Sequence, residues 1–236
     1  MDNQDYLELL KKTFTDHRNP ENAAPMEKYM KGLYPFLGVK SPERKELSKH
    51  FIRNFSFQSE EDVEPIIKKL WEMPEREFQY VAVDVLVKNK KYISEDYLDL
   101  LEYIITTKSW WDTIDTIANH LVGALFLTCP YLIDERGEKW LQSENIWLQR
   151  TMILFQLKYK DKTDTELLFS IIKRTSHINE FFIQKAIGWS LREYSKTNRN
   201  AVIRFIENYE LSNLAKREGL KYIYKNKEVY KNYDNI

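Results

Sequence analysis

The chain has 236 residues, of which 31% are charged and 14% aromatic, and its formal net charge is zero. With only 6 glycines and 7 prolines, the composition is typical of packed amphipathic helices and excludes a disordered chain. The single cysteine excludes a disulfide framework. No apolar run is long enough to span a bilayer and the N-terminus lacks a secretory pattern, so we expect a soluble, cytoplasmic protein without a membrane partner.

The charge is unevenly distributed along the chain. Residues 181–236 contain 11 Lys and Arg against 6 Asp and Glu, a net charge of +5, so residues 1–180 carry −5. A positive C-terminal quarter can bind an anionic polymer, although lysine-rich ends that are merely solvated are also common.

Helix-start and helix-stop residues predict a succession of short helices. Proline in a first turn marks starts at Ser41-Pro42 and Met73-Pro74. Further breaks, which leave about a dozen helices, are predicted near Asn19-Pro20, Asn89, Lys160-Asp161, Ser176 and Asn198.

An internal repeat connects these helices. A pattern of apolar, Gln, polar, small and apolar residues recurs around Gln79, Gln149 and Gln184, which are separated by 70 and 35 residues. A missing copy would centre on residue 114. Five polar residues then take equivalent positions: Lys45, Tyr80, Asp115, Arg150 and Lys185.

A period near 35 residues with two helices per unit is typical of HEAT-like α-solenoids, although similar helices can also fall into register by chance. We predict a single all-α, HEAT-like repeat domain over residues 1–236, with about the last ten residues as a loose tail. The second helix of each unit would line a concave, basic groove, and the protein is expected to be a monomer.

Tryptophans and cations lie on the same helical face as the repeat position. Grouped by successive repeats, they are Trp111 with Asp115, Trp147 with Arg150, and Lys185 with Trp189 and Arg192. Arginine and lysine suit phosphates and indole rings suit sugars or bases, so these residues predict a nucleic-acid ligand. Asp115 repels phosphate and is therefore expected to serve chemistry.

A lone carboxylate suits one kind of glycosidic cleavage. Breaking an N-glycosidic bond creates an oxocarbenium-like sugar cation, which Asp115 can stabilise while indole faces add cation–π attraction. Glycoside hydrolysis ordinarily uses two carboxyl groups, one of them a general acid. One is enough when the leaving base already carries a positive charge, as N3- and N7-alkylated purines do.

Several blocks of residues occur in a characteristic order. They are Pro25-Met26 with Tyr29-Met30-Lys31, Phe36-Leu37-Gly38, Ser41-Pro42-Glu43-Arg44, Leu70-Trp71 with Pro74-Glu75-Arg76-Glu77-Phe78-Gln79, Thr107-Lys108-Ser109-Trp110-Trp111-Asp112 with Asp115, Asn145-Ile146-Trp147-Leu148-Gln149-Arg150, and Phe181-Phe182-Ile183-Gln184-Lys185-Ala186-Ile187-Gly188-Trp189. In these blocks the chain resembles the AlkD-type alkylpurine DNA glycosylases, a HEAT-repeat family of DNA alkylation repair enzymes. The resemblance fades only near the C-terminus.

The resemblance implies a site and an activity. It makes Asp115 the essential catalytic group and places Trp111 and Trp189 against the deoxyribose of the lesion nucleotide. It also implies that Arg150 binds the backbone phosphate of that nucleotide. The implied reaction is excision of 3-methyladenine and 7-methylguanine type bases from double-stranded DNA, without drawing the base into a pocket. The chain shows no activated lysine for strand cleavage, so a monofunctional hydrolase is expected.

Other residues have two interpretations. Lys185 and Arg192 are expected to contact phosphates, although exposed cations are often only solvated. Tyr29 either flanks the groove or is buried, and Trp147 either lines the groove or braces Arg150. Three further tryptophans are interpreted as core residues: Trp71, Trp110 and Trp140.

Cofactors and metals are not expected. The four histidines show no ligand spacing, and the sequence has no phosphate-binding glycine loop. Two rival functions stay open at this stage: a HEAT-repeat scaffold that binds a protein or peptide, and a silent nucleic-acid-binding protein that excises nothing.

Overall fold

A computed structural model describes residues 2–57 and 60–225, and within these ranges the chain is helical without a strand, as the sequence predicts. Its α-helices are α1 (Asn3–Asp16), α2 (Pro20–Tyr29), α3 (Ser41–Asn54), α4 (Glu60–Glu72), α5 (Arg76–Lys88), α6 (Leu98–Thr106), α7 (Trp111–Thr116), α8 (Gly123–Thr128), α9 (Glu138–Gln142), α10 (Ile146–Leu154), α11 (Thr165–Thr175), α12 (Phe181–Tyr194), α13 (Arg199–Asn208) and α14 (Asn213–Lys225). Short 3-10 and π-helical turns connect several of them, and the fold is compatible with an α-solenoid.

The helix starts follow the spacing seen in the sequence. Helices α3, α5, α7, α10 and α12 begin at residues 41, 76, 111, 146 and 181, each 35 residues after the previous one. The equivalent polar residues therefore each occupy the fifth position of their helix. The start predicted at Met73-Pro74 lies at Arg76, and the register slips at α14, which begins 32 residues after α12.

The repeated glutamines connect each of these helices to the one before it. In all three repeats the side-chain Nε2 donates to backbone carbonyls six and eight residues upstream, where the preceding helix ends. The last carbonyls of a helix have no partner within the helix, so a glutamine at this position satisfies them. The acceptors are Trp71 and Met73 for Gln79, Leu141 and Ser143 for Gln149, and Ser176 and Ile178 for Gln184.

Replacing one of these glutamines is expected to destabilise the fold. Gln184→Ala removes the donor at 3.0 Å from the Ser176 carbonyl and 2.8 Å from the Ile178 carbonyl, in a side chain that is buried. We expect the free energy of unfolding, measured by urea denaturation, to fall by about 2–4 kcal/mol. The control Gln142→Ala removes only an exposed hydrogen bond to Glu138, and an equal loss in both variants would contradict the capping role.

The helices form two compact units, Met1–Leu100 and Leu101–Ile236. In the first, α1 packs on α3, α3 on α5 and α4 on α5. Its buried Glu77 accepts backbone N–H groups of Leu37, Gly38 and Val39, and burial raises the pKa of this carboxyl. Trp71 lies in this core, as predicted.

In the second unit four helices pack in chain order. Helix α7 contacts α10, α10 contacts α12, and α12 contacts α14. Trp140 is buried here, as predicted, and its Nε1 donates to Glu102. This row places the repeat positions Asp115, Arg150 and Lys185 on neighbouring helices.

Two expectations about the whole chain are not decided by these helices. The predicted loose tail lies outside the described residues, and a single repeat domain over residues 1–236 stays a prediction. Among the helices that the structure describes, none is sufficiently long and apolar to cross a membrane.

Candidate active site

Asp115 and Arg150 form a bidentate ion pair between α7 and α10. Arg150 Nε lies 2.8 Å from Asp115 Oδ1, and Arg150 Nη2 lies 2.9 Å from Asp115 Oδ2. Arg150 Nη1 donates to the backbone carbonyl of Phe182 in the first turn of α12. One guanidinium therefore connects α7, α10 and α12 and fixes both oxygens of the carboxylate.

The two partners differ in exposure. The side chain of Arg150 is 1% exposed, whereas that of Asp115 is 19% exposed, so solvent reaches part of the Asp115 side chain and almost none of Arg150. Burial raises the pKa of Asp115 above its usual value, against the lowering effect of the hydrogen bond and charge of Arg150, and the neighbouring Asp112 adds to the rise. The site thus holds a carboxylate that a loss of Arg150 would make harder to ionise.

Asp115 lies at a change in helix geometry. Helix α7 begins at the half-buried Trp111, one turn before Asp115. A π-helical segment, Ile117–Val122, follows α7, and within it the Asn119 side-chain amide donates to the Asp115 carbonyl. Such π-helical insertions are frequent at functional sites because they redirect neighbouring side chains.

Trp189 on α12 is close to three cations. The ring centroid lies 5.3 Å from the Arg150 guanidinium carbon, 5.7 Å from Lys185 Nζ and 6.0 Å from the Arg192 guanidinium carbon. These distances are within the range of cation–π attraction. The half-buried indole is therefore held next to the ion pair that contains Asp115.

Lys185 and Arg192 share one carboxylate, Glu218 of α14. Lys185 Nζ lies 2.9 Å and Arg192 Nη1 3.4 Å from its oxygens. Burial alone would raise the pKa of Glu218, but the hydrogen bond from Lys185 and the nearby charges lower it below its usual value. The helices approach closely here because Gly188 has no side chain: a Cβ on it would lie 2.4 Å from the Cβ of Glu218.

Residues 10–223 match the family model described as DNA alkylation repair enzyme. The chain belongs to the DNA alkylation repair enzyme family. A solved structure of a predicted DNA alkylation repair enzyme from Enterococcus faecalis is 36% identical, with a TM-score of 0.82, over 88% of this chain and 97% of that chain. No curated protein matches the chain. Membership confirms the family expected from the sequence and gives this enzyme a role in DNA alkylation repair, with DNA as its partner.

The sequence-predicted site residues of this family member fall into two groups. Those on α7, α10 and α12 belong to one unit, in which α10 contacts both α7 and α12. Tyr29 ends α2 in the other unit and is 71% exposed, so the alternative that it is buried is wrong.

Trp147 lies in an aromatic cluster at the N-terminal ends of α7, α10 and α12. Its ring centroid is 5.7 Å from that of Trp110 and 5.2 Å from that of Phe182, which in turn is 4.9 Å from Trp110. Trp110, expected in the core from the sequence, is the N-cap residue of α7 and is only half-buried. The cluster packs beside the carbonyl that accepts from Arg150.

Sequence reasoning did not assign two contributors to this site. Glu218 could have been found from the sequence, because residues 215–218 resemble a further copy of the repeat that departs from the 35-residue spacing. Phe182 contributes its backbone carbonyl to Arg150, and no side-chain pattern can indicate such a contact. Within the described ranges, no three His, Cys, Asp or Glu side chains group together as metal ligands could.

Glu218 is expected to restrain DNA binding by this repair enzyme. Glu218→Gln removes the negative charge that pairs with Lys185 and Arg192, so both cations become more available to phosphates. We expect affinity for duplex DNA, measured by fluorescence anisotropy, to rise roughly threefold to tenfold. The plot of the logarithm of affinity against the logarithm of salt concentration should become steeper by up to about 0.9 in slope. Glu138→Gln, which frees the exposed Arg174, is the matched control. A weaker affinity would mean that Glu218 holds the cations in the binding geometry.

Proposed function

We propose that the protein is a monofunctional DNA glycosylase, which hydrolyses the N-glycosidic bond of N3- or N7-alkylated purines in double-stranded DNA. Such a reaction is the first step of base excision repair. The proposal is carried by one observation: Asp115 is a fixed, partly exposed carboxylate whose partner Arg150 lies 5.3 Å from the Trp189 ring, in a family of DNA alkylation repair enzymes.

The proposed reaction needs no general acid. The bond between C1′ and the purine nitrogen breaks, and its electron pair neutralises the positive charge of the alkylated base, which leaves as a neutral molecule. Water adds to C1′ and loses a proton, so the products are the free base and an abasic site. A neutral base would have to be protonated before leaving, and Glu218, the other fixed carboxylate of this site, is a poor proton donor because Lys185 and the nearby charges hold its pKa below the usual value.

Asp115 stabilises the sugar cation in this proposal. An ionised carboxylate close to C1′ lowers the energy of the oxocarbenium-like transition state and orients the attacking water. Arg150 supports this role because its two hydrogen bonds fix the carboxylate in one orientation and favour its ionised form against the effect of burial. Trp111 and Trp189 would pack against the deoxyribose and exclude bulk water from one side of it.

Phosphate binding is assigned chiefly to Lys185 and Arg192. Their side chains are 23% and 32% exposed, so both have surface that a DNA backbone can reach. The resemblance also gives Arg150 a phosphate contact, and that role stays a prediction. In the structure its donors are directed to Asp115 and Phe182, so a phosphate would have to share or displace one of them.

The test is release of the base itself. Purified protein is incubated with a duplex that contains a single 7-methylguanine, and the free base is quantified by liquid chromatography and mass spectrometry. We expect 7-methylguanine release that leaves an abasic site, without strand cleavage until alkali is added. A duplex with uracil is the control, because its neutral base lacks the charge on which the mechanism depends.

Each outcome distinguishes one function from another. Efficient uracil release would contradict the charge argument. DNA binding without release would indicate a silent member of the family, and neither binding nor release would indicate a protein-binding scaffold.

We also propose that the enzyme acts as a monomer in the cytoplasm and requires no metal or cofactor. The single cysteine is compatible with a reducing compartment. Light scattering of the purified protein tests the monomer, and base release in the presence of a chelator tests the metal independence.

A further inference from the structure

Phe181 is an exposed aromatic residue beside the candidate site. All twelve phenylalanines lie in the described ranges, and Phe181 is the one among them that is exposed, at 59%. An isolated exposed apolar side chain needs no functional explanation. Phe181 is not isolated, because its neighbours on α12 are site residues.

Aromatic and basic residues alternate along one face of α12. Phe181, Lys185, Trp189 and Arg192, here called the α12 stripe, follow at intervals of four, four and three residues, which places them on one side of the helix. Lys185 Nζ lies 6.0 Å from the ring centroid of Phe181 and 5.7 Å from that of Trp189. The ammonium group therefore lies close to both rings.

Two neighbours position the exposed ring. Phe182 contacts it edge to face, with ring centroids 5.4 Å apart and an interplanar angle of 79°. Lys185, which lies 6.0 Å from the ring centroid, is itself fixed by its ion pair with Glu218. An exposed ring that is already positioned loses little conformational freedom on binding, which is the property expected of a contact residue.

The chemistry around Phe181 favours a sugar over a phosphate. Glu180 is exposed immediately before it and would repel a phosphate placed against the ring. In an intact duplex the base faces are stacked on one another, whereas the deoxyribose has apolar edges that an aromatic ring can cover. Phe181 and Trp189 are eight positions apart on the helix, about 12 Å along its axis, so the two rings would reach different nucleotides.

We propose that Phe181 is a DNA-contacting residue that packs against the deoxyribose of a nucleotide neighbouring the lesion. Lys185, which lies between Phe181 and Trp189 on α12, would contact the DNA backbone between these two sugars. The proposal rests on the DNA binding in the proposed function but not on base excision. It extends the protein–DNA contact beyond the lesion nucleotide along the α12 stripe.

The test combines affinity with hydroxyl-radical footprinting, which reports the exposure of individual deoxyriboses. The probe is a duplex with one tetrahydrofuran abasic analogue, which cannot be turned over. Phe181→Ala should weaken binding roughly 5- to 100-fold and remove the protection of one sugar near the analogue, while protection at the analogue remains. Phe181→Tyr keeps a ring of similar size and should restore both.

The matched control is Leu127→Ala, which removes another exposed apolar side chain from the same unit, on α8. It should leave the affinity and the footprint unchanged. Wild-type affinity and footprint in Phe181→Ala would overturn the proposal, as would an equal loss in Leu127→Ala. If wild type releases no 7-methylguanine but Phe181→Ala still loses the protected sugar, the proposed function fails and this inference stands.

Discussion

Asp115→Asn is expected to abolish release of 7-methylguanine, with a rate loss of at least about 100-fold, while affinity for duplex DNA stays the same or rises. The substitution preserves the size of the side chain but removes the charge that would stabilise the sugar cation. Removing a carboxylate also removes its repulsion of the DNA phosphates, which explains why affinity should not fall. The measurements are single-turnover base release and equilibrium binding to the same duplex.

A neighbouring carboxylate provides the control. Asp112→Asn removes a charge that raises the pKa of Asp115 and that lies on the same helix, in the first turn of α7, while both partners of the Asp115–Arg150 pair are kept. We expect it to retain most of the wild-type rate. Retention of activity in Asp115→Asn would show that Asp115 is not the catalytic carboxylate, and an equal loss in both variants would contradict a role specific to Asp115. Urea denaturation of each variant separates a catalytic loss from unfolding, because Asp115→Asn also leaves the buried Arg150 without its ionic partner.

Arg150→Gln is expected to slow base release most strongly in acid. Arg150 lowers the pKa of Asp115 against the effect of burial, so its removal raises this pKa further. The active form carries an ionised Asp115, and the acid limb of the rate profile should therefore move to higher pH. The profile is measured between about pH 5 and about pH 8 with the no-enzyme rate subtracted at each pH.

The same variant should be less stable, by about 3 kcal/mol near neutral pH, because it leaves a largely buried carboxylate unpaired. The sign of its pH dependence follows from the direction of the shift. A carboxyl whose pKa is raised in the folded state favours folding when protonated, and this contribution is lost as pH rises through the folded-state pKa. The stability deficit of Arg150→Gln relative to wild type should thus shrink in acid.

Arg174→Gln is the matched cation control, since Arg174 forms an exposed ion pair with Glu138. Its stability should change by less than about 1 kcal/mol and its rate profile should keep the wild-type acid limb. An acid limb that does not move in Arg150→Gln would show that Arg150 does not tune Asp115, and would favour the phosphate contact that the resemblance implies.

The sequence alone established the helices and their period because both depend on local signals. Prolines and polar caps set the helix starts, and the 35-residue interval between Gln149 and Gln184 reappears between the starts of α10 and α12. In each repeat the glutamine reaches a carbonyl at the end of the previous helix, so the same residue recurs at the same helix position and the pattern is visible without coordinates. Helical spacing likewise placed Asp115, Arg150 and Lys185 at one repeated position.

The partners of those residues were decided only by the tertiary structure. An arginine in a sequence can equally serve a phosphate or an ion pair, and the packing of α7, α10 and α12 directed Arg150 to Asp115 and to a backbone carbonyl. Phe181 and Phe182 are adjacent and identical, yet one is exposed and the other half-buried. Successive helical residues point about 100° apart, and only the neighbouring helices determine which direction leads into solvent.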